Sequence, residues 1–153
     1  MQIIQSTTDA DYALARKISK DYVKWLAIDL TFQDIDQEFA EFESLYGPPR
    51  GVYLLAFSGD QVAGGVGLRY FEDDICEMKR LYVYERFKNQ GIGKALCQEL
   101  IRVAKQMGYT CMRLDTISRL GVAVQLYEGL GFRDIARYRY NPDPTTRYME
   151  LTL

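Results

Sequence analysis

The stretch FKNQGIGKALCQEL, residues 87–100, opens a helical pattern with glycines where a capping side chain is usual. Gly91 and Gly93 stand one residue apart, and apolar residues at helical spacing follow at once. These residues are Ile92, Ala95, Leu96, Leu100, Ile101, Val103 and Ala104. Glycine lets an anion approach the backbone, and the N–H groups and positive dipole end of a helix bind it. The stretch therefore predicts a phosphate-binding loop that leads into a helix.

On either side of this loop the sequence predicts strands. Residues 74–84 are rich in Val, Tyr, Leu and Ile, and residues 110–116 are also predicted to form a strand. Between them the helix extends to about Met107, with Gly108 as its stop. The resulting strand–loop–helix–strand unit has the length of one parallel crossover.

The remaining segments predict an α/β chain with an antiparallel first half. Before the crossover unit we expect a strand over 1–7, a helix over 7–30 capped by Thr8 or Asp9, a shorter helix over 34–47, and a hairpin over 51–71 around Ser58-Gly59-Asp60. After it we expect a helix over 118–131 capped by Ser118 and strands over 132–140 and 147–153. No repeat or long linker interrupts the chain, so residues 1–153 are predicted to form one domain.

Composition restricts the possible functions. Hydrophobic residues make up 48% and charged residues 26%, which is ordinary for a soluble domain, and a net charge of −2 argues against nucleic-acid binding. There is no histidine, which removes histidine-based catalytic triads and histidine metal sites, and we predict no metal. The three cysteines have no CxxC spacing and are expected to be reduced, mostly buried thiols. With no signal peptide or apolar membrane span, the expected location is the cytoplasm, with no membrane partner.

Two phosphate-binding motifs are excluded by the residues around the loop. A Walker loop, G-x-x-x-x-G-K-[ST], fails because Lys88 and Ala95 stand where Gly and Ser or Thr are required. A dinucleotide-binding loop, G-x-G-x-x-G, fails because Leu96 replaces the third glycine. The predicted order of elements also lacks the regular alternation of strands and helices that a dinucleotide fold requires.

A third motif fits. The segment CEMKRLYVYERFKNQGIGKAL, residues 76–96, resembles motif A of the GNAT superfamily of N-acetyltransferases. In that motif a strand ends in L-x-V, and a [QR]-x-x-G-x-[GA] loop holds the pyrophosphate of acetyl-CoA. Lys88 stands here in place of the first Gln or Arg. A second segment, AVQLYEGLGF at residues 123–132, resembles the A-x-x-L-Y-x-x-x-G-F element of the same superfamily.

The resemblance covers nearly the whole chain and implies a GNAT fold. That fold is a mixed, mostly antiparallel sheet with a central parallel pair, flanked by helices. It also implies acetyl-CoA as co-substrate, a small-molecule or peptide amine as acceptor, and a monomer or homodimer. The residues implied in cofactor binding are Leu81, Tyr82, Val83, Lys88, Asn89, Gln90, Gly91, Ile92, Gly93 and Lys94. A splay in the sheet would let a backbone N–H near Tyr82 or Val83 meet the thioester carbonyl. Leu120 stands where many members have an Asn that contacts the cofactor.

The same resemblance suggests the catalytic residues. Tyr127 matches the superfamily's general acid, and Glu77, six residues before Val83, matches the position of a catalytic glutamate in some members. Packing in the core is the alternative for Tyr127, and an ion pair with Lys79 or Arg113 is the alternative for Glu77. Asp115, at the end of its strand, is a second candidate base, and water alone is a third.

The sequence says less about the residues that bind the acceptor amine. Its binding side could include Arg69, Tyr70, Arg80, Tyr138 and Tyr140, although solvated strand faces explain these residues equally well. The predicted function is acetyl-CoA-dependent transfer of an acetyl group to a primary amine. The alternative is a non-catalytic acyl-CoA-binding or sensing module.

Overall fold

A computed structural model describes residues 1–27 and 34–153 of the protein, and its strands form one mixed sheet. The strands are β1 (Gln2–Gln5), β2 (Val52–Ser58), β3 (Gln61–Glu72), β4 (Ile75–Val83), β5 (Cys111–Thr116), β6 (Arg133–Asp134) and β7 (Arg147–Thr152). Their order across the sheet is β1-β2-β3-β4-β5-β7-β6. The central pair β4–β5 is parallel and the other neighbours are antiparallel. The predicted fold class, including the parallel crossover, is therefore confirmed.

The described residues also form five α-helices: α1 (Asp9–Leu26), α2 (Ile35–Ala40), α3 (Phe42–Leu45), α4 (Ile92–Gln106) and α5 (Gly121–Gly129). Helix α1 begins at a capping box, in which the Asp11 N–H donates to Thr8 Oγ1 and the Thr8 N–H donates to the Asp11 carboxylate. The cap is thus Thr8, one of the two predicted. Residues 28–30 of the predicted first helix lie outside the described residues.

Helices cover both faces of the sheet. Side chains along β2 alternate between the two faces, so Leu54 and Ala56 pack on the α4 side while Tyr53 and Leu55 pack on the α1 side. All four are completely buried. The sheet is therefore a central layer packed between helices on both faces. The carboxyl end of the parallel pair β4–β5 is where the candidate site lies.

The predicted helix over 34–47 is divided in two. Glu41 has φ −109° and ψ 22°, outside the helical region, and separates α2 from α3. The division lets Glu38 meet Arg80 while Phe42 and Tyr46 enter the core. Because Arg80 lies 42 positions away in the sequence, local periodicity could not predict this break.

The end of the chain also departs from the prediction. The strand expected over 132–140 is reduced to β6, and residues 135–146 have no regular secondary structure. Tyr138 and Arg139 instead direct their side chains to Glu77. Ser118 does not cap α5, because residues 118–120 form a 3-10 turn and α5 begins at Gly121. In residues 1–27 and 34–153, no helix is long and apolar enough to span a membrane.

Candidate active site

The two parallel strands separate toward their carboxyl ends. β4 and β5 pair over three residues, from Ile75 opposite Cys111 to Glu77 opposite Arg113. Beyond that point β4 continues to Val83 beside β3 and β5 continues to Thr116 beside β7, but the two strands no longer pair with each other. In β4 a bulge centres on Arg80, whose φ of 62° is left-handed, where the register with β3 shifts. A gap therefore opens in the middle of the sheet.

Backbone groups of β4 point into this gap. The Tyr84 N–H donates to the Ala63 carbonyl on β3 at 2.9 Å. Successive N–H groups along a strand point to opposite sides, so the Val83 N–H points away from β3 and toward the gap. Of the two residues predicted to meet the thioester carbonyl, the geometry therefore directs the N–H of Val83, not that of Tyr82, into the gap.

A cavity of about 1130 Å³ occupies the gap and extends between α1, α4 and α5. One wall is aromatic: the Tyr82 ring lies 5.4 Å from Tyr22 and 5.6 Å from Trp25, centroid to centroid. This volume slightly exceeds the roughly 300–1,000 Å³ of a typical small-molecule site. An elongated ligand and a second small molecule can therefore share it.

The glycine loop forms one end of the cavity. Gly91 is the N-cap of α4, has φ 78° and provides no side-chain cap. The first N–H groups of a helix have no partner within it, so those after Gly91 are available to an anion, as the sequence predicted. Lys88 lies beside the loop, where its ammonium is 2.8 Å from Glu85 and 4.9 Å from the centre of the Trp25 ring.

Most of the residues predicted to bind the cofactor line the cavity. They are Leu81, Tyr82, Val83, Lys88, Asn89, Gly91, Ile92, Gly93 and Lys94. Gln90 is exposed and is not among the lining residues. The loop and the end of β4 are thus brought together on one surface.

Tyr127 lies on α5 and also lines the cavity. Its side chain is 7% exposed, and its ring packs edge-on against Phe132 at 5.8 Å. Its hydroxyl makes no hydrogen bond to any residue in 1–27 or 34–153. Burial raises the pKa of the Tyr127 phenol well above its ordinary value, so the phenol keeps its proton at neutral pH.

Glu77 is not among the residues that line the cavity, and it lies beside Arg69, which also contacts Glu38 on α2. Its carboxylate is completely buried and accepts hydrogen bonds from Tyr138 at 2.8 Å and Arg139 at 2.7 Å. Arg69 and Lys79 lie 3.9 Å from the same carboxylate. The ion pair with Lys79, foreseen as an alternative to the catalytic role, is present.

Asp115 is placed differently from Glu77. It lies near the end of β5, lines the cavity, and accepts a hydrogen bond from Asn141 at 3.3 Å. Because β5 has left β4 at this point, the carboxylate borders the gap. Asp115 is thus a carboxylate that a ligand in the cavity can reach directly.

The predicted acceptor residues fall into two groups. Arg80 lines the cavity, and Arg69 and Tyr138 contact the carboxylates beside it. Tyr70 instead packs under the Arg50 guanidinium at 4.3 Å, and Tyr140 is 59% exposed. Neither tyrosine is among the lining residues.

Sequence reasoning missed Glu38, which is 2% exposed on α2 and receives Arg80 at 2.9 and 3.1 Å. Burial alone would raise the pKa of Glu38, but Arg80, with Lys79 and Arg69, outweighs burial and holds that pKa below its ordinary value. A signal was present in the sequence. Glu38 falls three residues after Ile35 and four before Phe42, on the apolar stripe of its segment, where a carboxylate needs a cationic partner.

Other chemistries find little support among the described residues. No group of three potential metal ligands occurs in 1–27 and 34–153. Cys76, Cys97 and Cys111 are free, and burial raises the pKa of each thiol to about 12. A thiolate nucleophile is therefore disfavoured at neutral pH.

Comparisons with known proteins agree with this geometry. Residues 19–132, more than half of the chain, match the family described as Acetyltransferase (GNAT) family. An N-acetyltransferase of Schizosaccharomyces pombe is 37% identical over 140 residues, which span 90% of this chain and 86% of that protein.

Two solved structures share the fold. An acetyltransferase from Streptococcus agalactiae superposes with a TM-score of 0.79 at 21% identity, covering 99% of this chain and 98% of its own. A Salmonella typhimurium protein, determined with its cofactor acetyl-CoA, gives 0.72 at 20% identity, covering 99% of this chain and 94% of its own. At these identities the likeness concerns the fold alone.

Proposed function

The chain belongs to the GNAT acetyltransferase family, and from that membership we propose that it transfers an acetyl group from acetyl-CoA directly to a primary amine of a small molecule or peptide. One observation carries the proposal. Three groups that such a transfer needs face one cavity: the helix N-terminus after Gly91, the N–H of Val83 and the phenol of Tyr127. The first binds phosphate, the second an oxyanion and the third a departing sulfur.

The cofactor side is formed mainly by backbone. The N–H groups of the first turn of α4 donate hydrogen bonds to the pyrophosphate, with Lys88 and Lys94 adding positive charge. The unpaired edge of β4 from Leu81 to Val83 aligns the pantetheine arm by strand-like hydrogen bonds. The Salmonella structural neighbour, which holds acetyl-CoA, supports this choice of co-substrate.

The chemistry follows from the positions of these groups. The Val83 N–H donates to the thioester carbonyl oxygen, where negative charge develops as the acceptor nitrogen bonds to the carbonyl carbon. The carbon–sulfur bond breaks, and Tyr127 gives its proton to the sulfur. The proton lost by the amine passes to a carboxylate or to water, and a proton from solvent restores Tyr127. No cysteine takes part, since all three thiols are protonated at neutral pH.

Two carboxylates, those of Asp115 and Glu77, are candidates for the general base. Asp115 borders the cavity and meets the amine directly, which favours it on geometry. Glu77 lies behind Lys79, Tyr138 and Arg139, so a proton from the acceptor reaches it only through water or through one of these groups. Glu77 is the alternative base.

A pair of matched variants separates the two. If Asp115 takes the proton, Asp115→Asn lowers kcat/KM about 100-fold at neutral pH, and its residual activity keeps rising at higher pH, where free amine is populated. Glu77→Gln then retains the parent pH profile and lowers the melting temperature. The opposite pattern assigns the base to Glu77. If neither variant shifts the pH profile of kcat/KM, water is the proton acceptor.

The function itself is tested by supplying acetyl-CoA with a panel of amino acids, polyamines, aminoglycosides and peptides, and by measuring thiol release. We expect release that depends on the amine, with acetylated product detected by mass spectrometry. Tight binding of acetyl-CoA by calorimetry, with no amine-dependent release across the panel, would instead identify a non-catalytic acyl-CoA-binding module.

A further inference from the structure

A cluster of buried charges lies beside the cavity, on the side away from the glycine loop. Its members are Glu38, Arg69, Glu77, Lys79, Arg80 and Arg139. Glu38 contacts Arg80 and Arg69, while Glu77 contacts Arg139, Arg69 and Lys79. Among the residues of this cluster that the structure describes, four cationic side chains lie around the carboxylates of Glu38 and Glu77, with Asp115 also acting on Lys79.

Lys79 differs from the arginines of this cluster, which all donate hydrogen bonds to Glu38 or Glu77. Its residue is 5% exposed and lines the cavity, and its Nζ lies 3.9 Å from Glu77 Oε1, beyond hydrogen-bond distance. It donates no hydrogen bond to any residue in 1–27 or 34–153. Burial lowers the pKa of Lys79, and Glu77 and Asp115 oppose this only in part. Because Lys79 lines the cavity, its ammonium can donate a hydrogen bond to an acceptor on the cavity side.

The phosphates of acetyl-CoA do not supply that acceptor. Lys79 lies four residues before Val83 in β4, roughly 13 Å at the rise of a strand, and the glycine loop lies beyond Val83. The edge of β4 between them is the part proposed to align the pantetheine arm. Lys79 therefore borders the space where the acceptor must enter.

We propose that the acceptor amine carries a carboxylate and that Lys79 binds it, so that the substrates are aminocarboxylates such as amino acids. The inference rests on the proposed acetyl transfer and extends it to the class of acceptor. The Arg80 guanidinium, held by Glu38 and also lining the cavity, adds to the positive field. Across the gap, Asp115 faces the amino end. A polyamine, which offers only cations, meets Lys79, Arg80 and Arg119 on the same walls and is disfavoured.

The test compares matched acceptors on the intact chain. L-alanine, β-alanine and L-aspartate are each assayed against their carboxamides, with spermidine as a cationic comparison. We expect kcat/KM for the most active acid to exceed that of its amide about 10- to 100-fold, the effect of a hydrogen bond to a charged group. Lys79→Met should remove this preference and leave acetyl-CoA affinity unchanged in calorimetry. Lys105→Met, an exposed lysine at the end of α4, is the matched control and should keep the preference.

The outcomes distinguish this inference from the proposed function. Equal turnover of acids and amides, or a preference for spermidine, overturns the acceptor class while acetyl transfer stands. A loss of acetyl-CoA affinity in Lys79→Met assigns Lys79 to the cofactor and also overturns it. If no amine is acetylated, the proposed function fails, and binding of the same acids and amides in the presence of CoA is measured by thermal shift. Acid-selective binding that disappears in Lys79→Met then supports the site, and its absence overturns it.

Discussion

The two ends of the cavity are made in different ways. The end proposed to bind the cofactor is a continuous stretch of chain, from Leu81 to Lys94, and offers mainly backbone N–H groups and glycines. The end proposed to bind the acceptor is assembled from α2, β3, β4 and the segment 135–146, and offers buried side-chain charges. We expect the first end to tolerate changes of side chain better than changes of backbone angle. We expect the second end to be sensitive to the loss of a buried charge, such as the Glu38 carboxylate that Arg80 contacts.

The clearest consequence concerns stability. Glu38→Gln removes the carboxylate that Arg80 contacts at 2.9 and 3.1 Å, and breaking a buried ion pair from one side costs about 3–5 kcal/mol of unfolding free energy. Denaturant unfolding measures this loss. The control is Glu43→Gln on α3, where the pair with Arg16 is exposed and the expected loss is below about 1 kcal/mol. A loss as small for Glu38 as for Glu43 would contradict the contrast between the two ends.

The same pair has a pH signature. The pKa of Glu38 is lower in the folded protein than the unfolded value of about 4.3, so its stabilisation is fully present above that value. It is lost as the pH falls through the lower, folded pKa. The difference in stability between the parent and Glu38→Gln should therefore be constant near neutrality and shrink below about pH 4. A difference that persists unchanged in acid would mean that the pair is not its source.

The same contrast explains what the sequence could predict. The sequence predicts the glycine loop, the parallel crossover and the motif that contains Tyr127 because each is a contiguous segment whose spacing indicates its local structure, and Tyr127 does line the cavity; its role stays a prediction. The acceptor end was not readable, because Glu38 and Arg80 are 42 positions apart and Glu77 and Arg139 are 62 apart. Such pairs come from tertiary packing alone. The shortened β6 has the same cause, since Tyr138 and Arg139 contact Glu77 from a segment without regular structure.

Tyr127 lines the cavity that the two ends share. Tyr127→Phe keeps the ring against Phe132 and removes the phenolic proton. Because the parent hydroxyl donates no hydrogen bond to a described residue, the substitution removes no such bond from the folded protein. We expect kcat to fall about 100-fold, equivalent to about 2.7 kcal/mol, with acetyl-CoA affinity and melting temperature nearly unchanged. Steady-state kinetics beside calorimetry checks this. Activity within a factor of two of the parent would return Tyr127 to a packing role.

A backbone change at the cofactor end should affect binding rather than turnover. Gly91→Val places a β-branched residue at φ 78°, which costs about 1–2 kcal/mol and should displace the N–H groups proposed to hold the pyrophosphate. We expect acetyl-CoA affinity to fall about tenfold. Gly59→Val is the matched control, because Gly59 has φ 62° in the β2–β3 turn and open space around it. It should show similar strain in melting and parental affinity. Equal affinities in both variants would remove the loop from the cofactor site.

The mildest change replaces a charge at the same end. Lys88 already pairs with Glu85 at 2.8 Å, and its side chain is 35% exposed, so its charge is partly neutralised and screened by salt. If backbone groups hold the pyrophosphate, Lys88→Gln should weaken acetyl-CoA binding less than about fivefold, and the loss should shrink further as ionic strength rises. Lys105→Gln, on an exposed turn of α4 away from the cavity, gives the background. Calorimetry at low and high salt measures both. A loss of fifty-fold that salt does not reduce would mean that the cofactor end also relies on a specific side-chain charge, and the distinction between the two ends would fail.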